Sequence, residues 1–193
     1  MTAASEALTV TLDGFDVPGS SWRVWAATGR GGLTRLSIRS RGPSSRKCLV
    51  DGLDALFGTE KVEFDVREGG ASLDSFFAEL SDYFDGSLTD FHTRIDLSAG
   101  TPFQQSVWRQ LRRIPYGQTT SYSELARRVG KPGAARAVGN ANGRNPLPIV
   151  VPCHRVVAAG GGLGGYTGGL DIKRFLLDIE RCSVTNDEFL MTK

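Results

Sequence analysis

A cysteine and a histidine stand side by side within the stretch Pro152–Val156, which has the sequence PCHRV. A thiol becomes a good nucleophile when it loses its proton, and a nearby imidazole, a positive charge or a helix N-terminus can bring this about. Side chains of adjacent residues point apart, so His154 would act on the Cys153 thiol through one bound water. A buried, inert cysteine beside a histidine that caps a turn is the simpler interpretation, because free cysteine is usually buried. The pair alone leaves both interpretations open.

A carboxylate near the end of the chain could complete this group. A helix is predicted from about residue 171, with an apolar stripe along one face. The stripe consists of Ile172, Phe175, Leu176 and Ile179. Glu180 lies at its edge, and a buried carboxylate there would need a partner, for which His154 is the candidate. Cys153, His154 and Glu180 would then be nucleophile, base and orienting group. A surface ion pair of Glu180 with Arg181 or Lys173 is the alternative.

Two segments would position the cysteine. The apolar run Ile149–Val151 predicts a short buried strand that Pro152 ends. Residues 160–169 contain seven glycines with Tyr166 and Thr167 between them, and glycine lets the backbone approach a ligand closely. No GK[ST] follows, so this segment is not a phosphate-binding loop, and a flexible hairpin is the alternative.

A pair of short helices is predicted before the cysteine. Ser121 and Glu124 have capping-box spacing, and a glycine turn leads to a second helix over residues 134–142. This pattern is typical of a helix-turn-helix, although a general helical hairpin also fits. The second helix is mostly alanine and glycine with one arginine, Arg136. Small residues favour approach to a narrow minor groove, where Arg136 could enter the base stack, over base reading in the major groove.

The charge of the chain is unevenly distributed. Residues 1–101 hold 10 Lys/Arg against 15 Asp/Glu, whereas residues 102–182 hold 12 against 4. The basic half indicates an anionic partner, or a solvated face without one. Three widely spaced cysteines argue against a disulfide scaffold and suit a reducing compartment. With no signal peptide or apolar span in the sequence, we expect a cytoplasmic protein.

The N-terminal half has the pattern of a small α/β unit. Strands are predicted at residues 8–15, 22–28, 33–38, 61–67 and 91–97, the first three as an antiparallel meander, and helices at 48–57 and 73–84. Residues 98–102 are a plausible linker. The predicted domains are therefore 1–97 and 103–182, followed by a disordered tail over 183–193.

The second half resembles a known family. PCHRV, preceded by AARAV at 134–138 and by Asn145, resembles the O6-alkylguanine-DNA alkyltransferases over about residues 102–180. The resemblance implies a ribonuclease-H-like α/β N-terminal domain and a mainly α C-terminal domain with a winged-helix-like helix-turn-helix. From the small residues of the second helix we expect binding of duplex DNA through the minor groove with little sequence specificity, and we take a monomer as the default.

The resemblance further implies a suicidal repair reaction without cofactor or metal. Cys153 would take the alkyl group from O6 of guanine, and O4 of thymine, after the base flips out. Asn145 would brace the turn that carries the cysteine, Tyr122 would assist the departing guanine, and Arg136 would fill the space left in the stack. The implied DNA contacts are Ser121, Tyr122, Ala134, Ala135, Arg136, Ala137 and Asn142.

The implied substrate pocket is lined by Pro148, Val156, Tyr166 and Thr167. The carbonyls of Cys153 and Val156 would accept from the guanine amino group, and the N–H of Thr167 would face the alkylated oxygen. A zinc site of the kind found in animal relatives is not supported, because only Cys48 and His92 precede residue 100. Two other classes remain open: a non-catalytic DNA-binding protein that flags damage, and a cysteine hydrolase that uses Cys153, His154 and Glu180.

Overall fold

A computed structural model describes residues 10–42, 47, 50–51, 71–160 and 162–190, with side chains except at 71, 72 and 182–190. The predicted helix at 48–57 lies almost wholly outside the described residues, and the predicted strand at 61–67 lies entirely outside them. Within this part of the chain, no helix is long and apolar enough to cross a membrane.

The N-terminal half begins with the predicted antiparallel meander, which the structure confirms. Strands β1 (Thr11–Asp16), β2 (Trp22–Gly29) and β3 (Gly32–Ser40) lie in that order, and Val24 pairs with both Phe15 and Ile38. Consecutive residues of β3, Leu36, Ser37 and Ile38, are buried, and because neighbouring residues of a strand point to opposite faces, the sheet is covered on both sides there.

Helix α1 (Ala71–Phe84) confirms the predicted helix at 73–84. Its buried stripe consists of Leu73, Phe76, Leu80 and Tyr83. The predicted strand at 91–97 is wrong, because only Ile95 forms a bridge, a parallel one to Leu33. Phe91 packs its ring against Phe76 and Tyr83 instead, so this segment follows the helix rather than extending the sheet.

The C-terminal half starts with helix α2 (Pro102–Leu111), which a capping box between Thr101 and Gln104 begins. Strand β4 (Thr120–Ser121) then leads directly into helix α3 (Tyr122–Arg128), and helix α4 (Ala135–Gly143) follows a turn. Gly130 in that turn has φ 70°, a conformation that favours glycine. The predicted pair of helices is confirmed, with Ser121 accepting from the N–H of Glu124.

The segment around the cysteine differs from the predicted strand–proline arrangement. Residues 149–151 form a turn, and Ile149 has φ 79°, which no strand accommodates. Cys153–Arg155 form one turn of 3₁₀ helix, and strand β5 (Val156–Val157) pairs with β4 in parallel. The strand therefore follows the cysteine. The apolar run is buried without pairing because the N–H of Val151 donates to Leu147 O, and Val151 O accepts from Asn145 and Cys153.

Helix α5 runs over Leu170–Leu190, so it begins where predicted. It continues helical through residues 183–190, where the sequence predicts a disordered tail. Each further residue of a formed helix adds a hydrogen bond without a new nucleation cost, which explains the extension. The apolar core is continuous between the two halves of the chain, joining Leu36 and Tyr83 to Leu147 and Leu176. The domain limits stay predictions.

Candidate active site

Cys153 is the first residue of the 3₁₀ turn, and its side chain is 5% exposed. Burial raises the pKa of the Cys153 thiol, whereas the neighbouring polar side chains of Asn145 and Tyr166 and the charge of Lys173 act in the opposite direction. The thiol is therefore protonated at neutral pH and surrounded by groups that would stabilise a thiolate. It needs a base to react.

The turn before the cysteine is held by Asn145. Its Nδ2 donates to Val151 O at 2.7 Å, and its Oδ1 accepts from the N–H of Leu147 at 3.0 Å. The two residues that Asn145 binds, Leu147 and Val151, lie on either side of the strained residue Ile149, whose positive φ costs about 1–3 kcal/mol. Asn145 thus has the contacts that the predicted bracing role requires, while the role itself stays a prediction.

The predicted contact between His154 and Glu180 is present. His154 Nε2 lies 2.8 Å from Glu180 Oε1, and the two side chains are 0% and 1% exposed. Burial alone would raise the pKa of Glu180, but hydrogen bonds from His154 and Arg155 and the positive charge of Arg155 lower it to about 2. Glu180 is ionised at neutral pH and faces inward, so the surface ion pair considered from the sequence is wrong.

The protonation of His154 follows from that of Glu180. Burial lowers the pKa of His154, and the hydrogen bond to Glu180 only partly opposes this. The imidazole is therefore neutral, and because the ionised carboxylate can only accept, Nε2 carries the hydrogen. The opposite ring nitrogen, Nδ1, is a free acceptor that is buried without a protein hydrogen-bond partner. This atom is suited to receive a proton from the thiol side.

Glu180 has further partners that sequence reasoning missed. Arg155 donates from Nε and Nη2 at 2.9–3.1 Å, and Tyr83 donates its hydroxyl to Oε1 at 2.8 Å. The N–H of Gly117 donates to Oε2 at 3.2 Å. Arg155 could have been suspected from its place beside His154. Nothing in the sequence marks Tyr83, which comes from α1 in the other half of the chain.

Lys173 is a further missed residue, since the sequence offered it only as a surface partner for Glu180. Its side chain is buried, and Nζ donates to the carbonyls of Val156, Leu163 and Gly165, which ties the glycine-rich loop to the strand after the cysteine. Burial lowers the pKa of Lys173 to about 8. The position of this lysine beside the apolar stripe of α5 could have indicated from the sequence that its side chain is buried.

Tyr122 faces the same space from the start of α3. Its hydroxyl donates to Gly165 O at 3.4 Å, and burial together with the neighbouring Cys153 raises its pKa. Gly164 has φ 67°, and a Cβ there would lie 3.0 Å from the Tyr122 ring, so the close approach requires glycine. Thr167 donates its hydroxyl to Gly143 O, which joins the loop to α4.

The predicted DNA contacts differ in how exposed their side chains are. Arg136 and Ala137 are exposed on α4, while Ser121, Tyr122, Ala134 and Ala135 are half-buried. Asn142 is different, because it is 4% exposed and donates to Cys153 O at 3.3 Å. Its predicted contact with DNA stays a prediction. As the last turn of α4 packs onto the cysteine segment, Asn142 belongs to the site.

A cavity of about 810 Å³ opens onto the thiol. Among the predicted pocket residues, Pro148, Tyr166 and Thr167 line it together with Cys153. Val156 does not line it, because its side chain is fully buried as part of β5 and its carbonyl accepts from Lys173. A carbonyl has two lone pairs, and those of Cys153 O are occupied, because it accepts from Asn142 Nδ2 and from the N–H of Val156.

Residues of β3 also line the cavity, which the sequence did not indicate. They are Arg35, Leu36, Ser37, Ile38 and Arg39. The described residues contain no group of three or more His, Cys, Asp or Glu side chains that could hold a metal ion.

Comparison with known proteins places this geometry in context. Residues 102–182 match the family model of the DNA-binding domain of 6-O-methylguanine DNA methyltransferase. A methylated-DNA--protein-cysteine methyltransferase of Mycobacterium tuberculosis is 55% identical over 109 residues, 56% of this chain and 66% of that protein. The matched part thus spans just under two thirds of that relative. A protein of the same name from Methanosarcina acetivorans is 49% identical over 127 residues, 64% of this chain and 80% of its own length.

Solved structures extend the similarity to the N-terminal half. The crystal structure of Mycobacterium tuberculosis OGT in complex with DNA has a TM-score of 0.71 at 40% identity, covering 90% of this chain and 94% of that one. O6-methylguanine-DNA methyltransferase from Pyrococcus kodakaraensis also has a TM-score of 0.71, at 29% identity, covering 89% of this chain and 98% of that one. Both contain a small sheet and helices like those described above.

Proposed function

The chain belongs to the methylated-DNA--protein-cysteine methyltransferase family, and on this basis we propose that it repairs DNA by moving an alkyl group from O6 of guanine, or O4 of thymine, to Cys153. The observation that carries this proposal is the arrangement of three groups, one that lines the cavity and two that are buried behind it. A buried thiol faces the cavity, the neutral His154 has a free acceptor nitrogen, and an ionised Glu180 holds the other nitrogen.

The proposed reaction is one displacement at the alkyl carbon. His154 Nδ1 takes the thiol proton through a bridging water, and the sulfur attacks the alkyl carbon as the bond from that carbon to guanine O6 breaks. The electron pair of that bond stays on guanine, where a hydrogen bond from Tyr122 stabilises it until the base regains a proton. The product is a thioether, which has no ready leaving group, so each molecule reacts once and needs no cofactor.

We propose that DNA approaches along the exposed face of α4. The target atom is inaccessible in the duplex, so the base must flip out at a cost of a few kcal/mol. Ala134, Ala135 and Ala137 allow close approach to the minor groove, and Arg136 fills the vacated stack. Such contacts carry little sequence specificity. We further propose a monomer whose N-terminal unit is ribonuclease-H-like and whose helices α3 and α4 form a winged-helix-like reader.

Arg136→Ala is expected to weaken duplex binding about ten-fold and to slow transfer from duplex DNA. Reaction with free O6-methylguanine base should stay nearly unchanged, since no stack needs filling there. Arg23→Ala is the matched control, because Arg23 lies on the N-terminal sheet in an ion pair with Asp16. Titration of a labelled duplex and single-turnover rates measure both effects. An equal loss on duplex and free base would contradict the stack-filling role.

The function itself is tested by intact mass after incubation with duplex DNA that carries one O6-methylguanine. We expect one methyl group in place of one hydrogen per protein molecule, located on Cys153 by peptide mapping. DNA binding without any mass gain would indicate a non-catalytic damage-binding protein. Repeated turnover with an unmodified cysteine would indicate a hydrolase.

A further inference from the structure

The cavity beside Cys153 has an unusual charge. Its lining includes three arginines, Arg35, Arg39 and Arg144, and no aspartate or glutamate from the described residues. A methyl group needs no cation, and the thiol chemistry proposed above uses none of these three residues. The charge of the cavity therefore calls for a ligand that carries a negative group.

Two of these arginines come from β3, at positions 35 and 39. Residues at alternate positions of a strand share one face, so Arg35, Ser37 and Arg39 line the cavity together. The strand is fixed to the active-site turn, because the N–H of Leu36 donates to Pro146 O at 2.8 Å. The arginine face of β3 is thus a wall of the site, with a defined position relative to the turn that carries the cysteine.

Arg39 lies beside the glycine-rich loop that carries two of the predicted pocket residues. A Cβ built on Gly168 would be 3.6 Å from Arg39 Nη1, and Gly168 follows the pocket residues Tyr166 and Thr167. One donor of Arg39 is used locally, because Nη1 donates to Ile38 O at 2.9 Å. The remaining guanidinium donors are available to a ligand.

Arg35 adds a second cation without a counter-charge. Its Nε is buried and has no hydrogen-bond partner. Burial, and then the charge of Arg39, lowers the pKa of Arg35, so the two guanidinium groups repel each other. A buried donor and two neighbouring cations are unfavourable until an anion completes them.

We propose that Arg35 and Arg39 form an anion subsite in the wall of the cavity, which receives a negatively charged group of the damaged nucleotide. This group is a carboxylate at the end of the O6 substituent or a backbone phosphate beside the lesion, both of which match the planar guanidinium fork. The subsite rests on the proposed function, because it serves the same cavity. It would make the protein selective for alkyl groups with an anionic end, or hold the flipped nucleotide.

The test compares three duplexes that differ only at the lesion: O6-methylguanine, O6-carboxymethylguanine, and the neutral amide of the latter. The variant is the double substitution Arg35→Gln/Arg39→Gln, and the control is Arg41→Gln. Arg41 is the next arginine after β3, and it pairs with Asp16 outside the cavity. Single-turnover rates are followed by the intact mass of the alkylated protein. We expect the double variant to lose about ten-fold on the carboxymethyl duplex, with unchanged rates on the other two.

A fourth duplex, with uncharged methylphosphonate linkages on both sides of O6-methylguanine, separates the two sources of the anion. A loss on all three phosphate duplexes that disappears with methylphosphonates assigns the subsite to a phosphate. Rates equal to those of Arg41→Gln on every duplex would overturn the proposal, as would a uniform loss that persists with methylphosphonates. Failure of the unaltered protein to accept any alkyl group would instead count against the proposed function.

Discussion

Replacement of Cys153 with alanine is expected to abolish alkyl transfer completely while duplex binding persists. The thiol is the only atom proposed to form a bond with the alkyl carbon, and the exposed face of α4 does not include it. Intact mass after incubation with the O6-methylguanine duplex should show no gain, and titration of the labelled duplex should give the affinity of the unaltered protein within about two-fold.

Cys153→Ser is the matched control for this result. It keeps a nucleophile of similar shape, but a hydroxyl is far harder to ionise than a thiol, so transfer should also be absent. Methyl transfer to another residue in either variant would contradict the assignment of Cys153. Loss of DNA binding in both would show that the thiol segment and the DNA-binding face are not separable.

Replacement of Glu180 with alanine should give the second large effect, a loss of about 3–5 kcal/mol in the free energy of unfolding. The change leaves Arg155 buried without its counter-charge and removes the acceptor for His154 and Tyr83. Urea unfolding at pH 7 measures this loss in the free energy of unfolding. Glu124→Ala is the control, because Glu124 forms exposed pairs with Arg127 and Arg128 and should change stability little. Equal stability of the two variants would contradict the buried network.

The same network gives the unaltered protein a specific acid sensitivity. The pKa of Glu180 falls from an ordinary 4.5 to about 2 on folding, so the stabilisation it provides is complete above pH 4.5. It is lost as the pH falls from 4.5 towards 2, and it amounts to about 3 kcal/mol. The stability difference between the unaltered protein and Glu180→Ala should therefore narrow over this range.

Local pattern was sufficient to predict much of the fold. The strands β2 and β3, the stripe of α1 and the serine cap of α3 each depend on neighbours within a few residues, and each is confirmed. The prediction of a strand at 149–151 was wrong because an apolar run indicates burial, which is a different property from strand pairing. Asn145 and neighbouring main chain supply the hydrogen bonds that a partner strand would have supplied, and no pattern of hydrophobicity records this.

The site was predictable in its reactive residues but not in its surroundings. His154 and Glu180 could be paired because a buried carboxylate must have a partner, and the chain offers few candidates. Tyr83 and the arginines of β3 reach the site from the other half of the chain, at sequence separations that periodicity cannot detect. The bond from Asn142 to Cys153 O was not predicted, because the face of a helix that meets the cysteine segment is set by tertiary packing.

The bond from Tyr83 to Glu180 bears on how such a protein can be divided or recombined. Every residue with a proposed role in the alkyl-transfer step lies after residue 100, so the second half looks like a transplantable module. However, Glu180 takes one of its hydrogen bonds from α1, and a wall of the cavity comes from β3. A C-terminal half fused to an unrelated N-terminal domain would keep Cys153 and His154, but it would lose the hydrogen bond from α1 and the cavity wall formed by β3. The two halves are therefore constrained to change together, and the N-terminal unit is a working part of the site rather than a carrier for it.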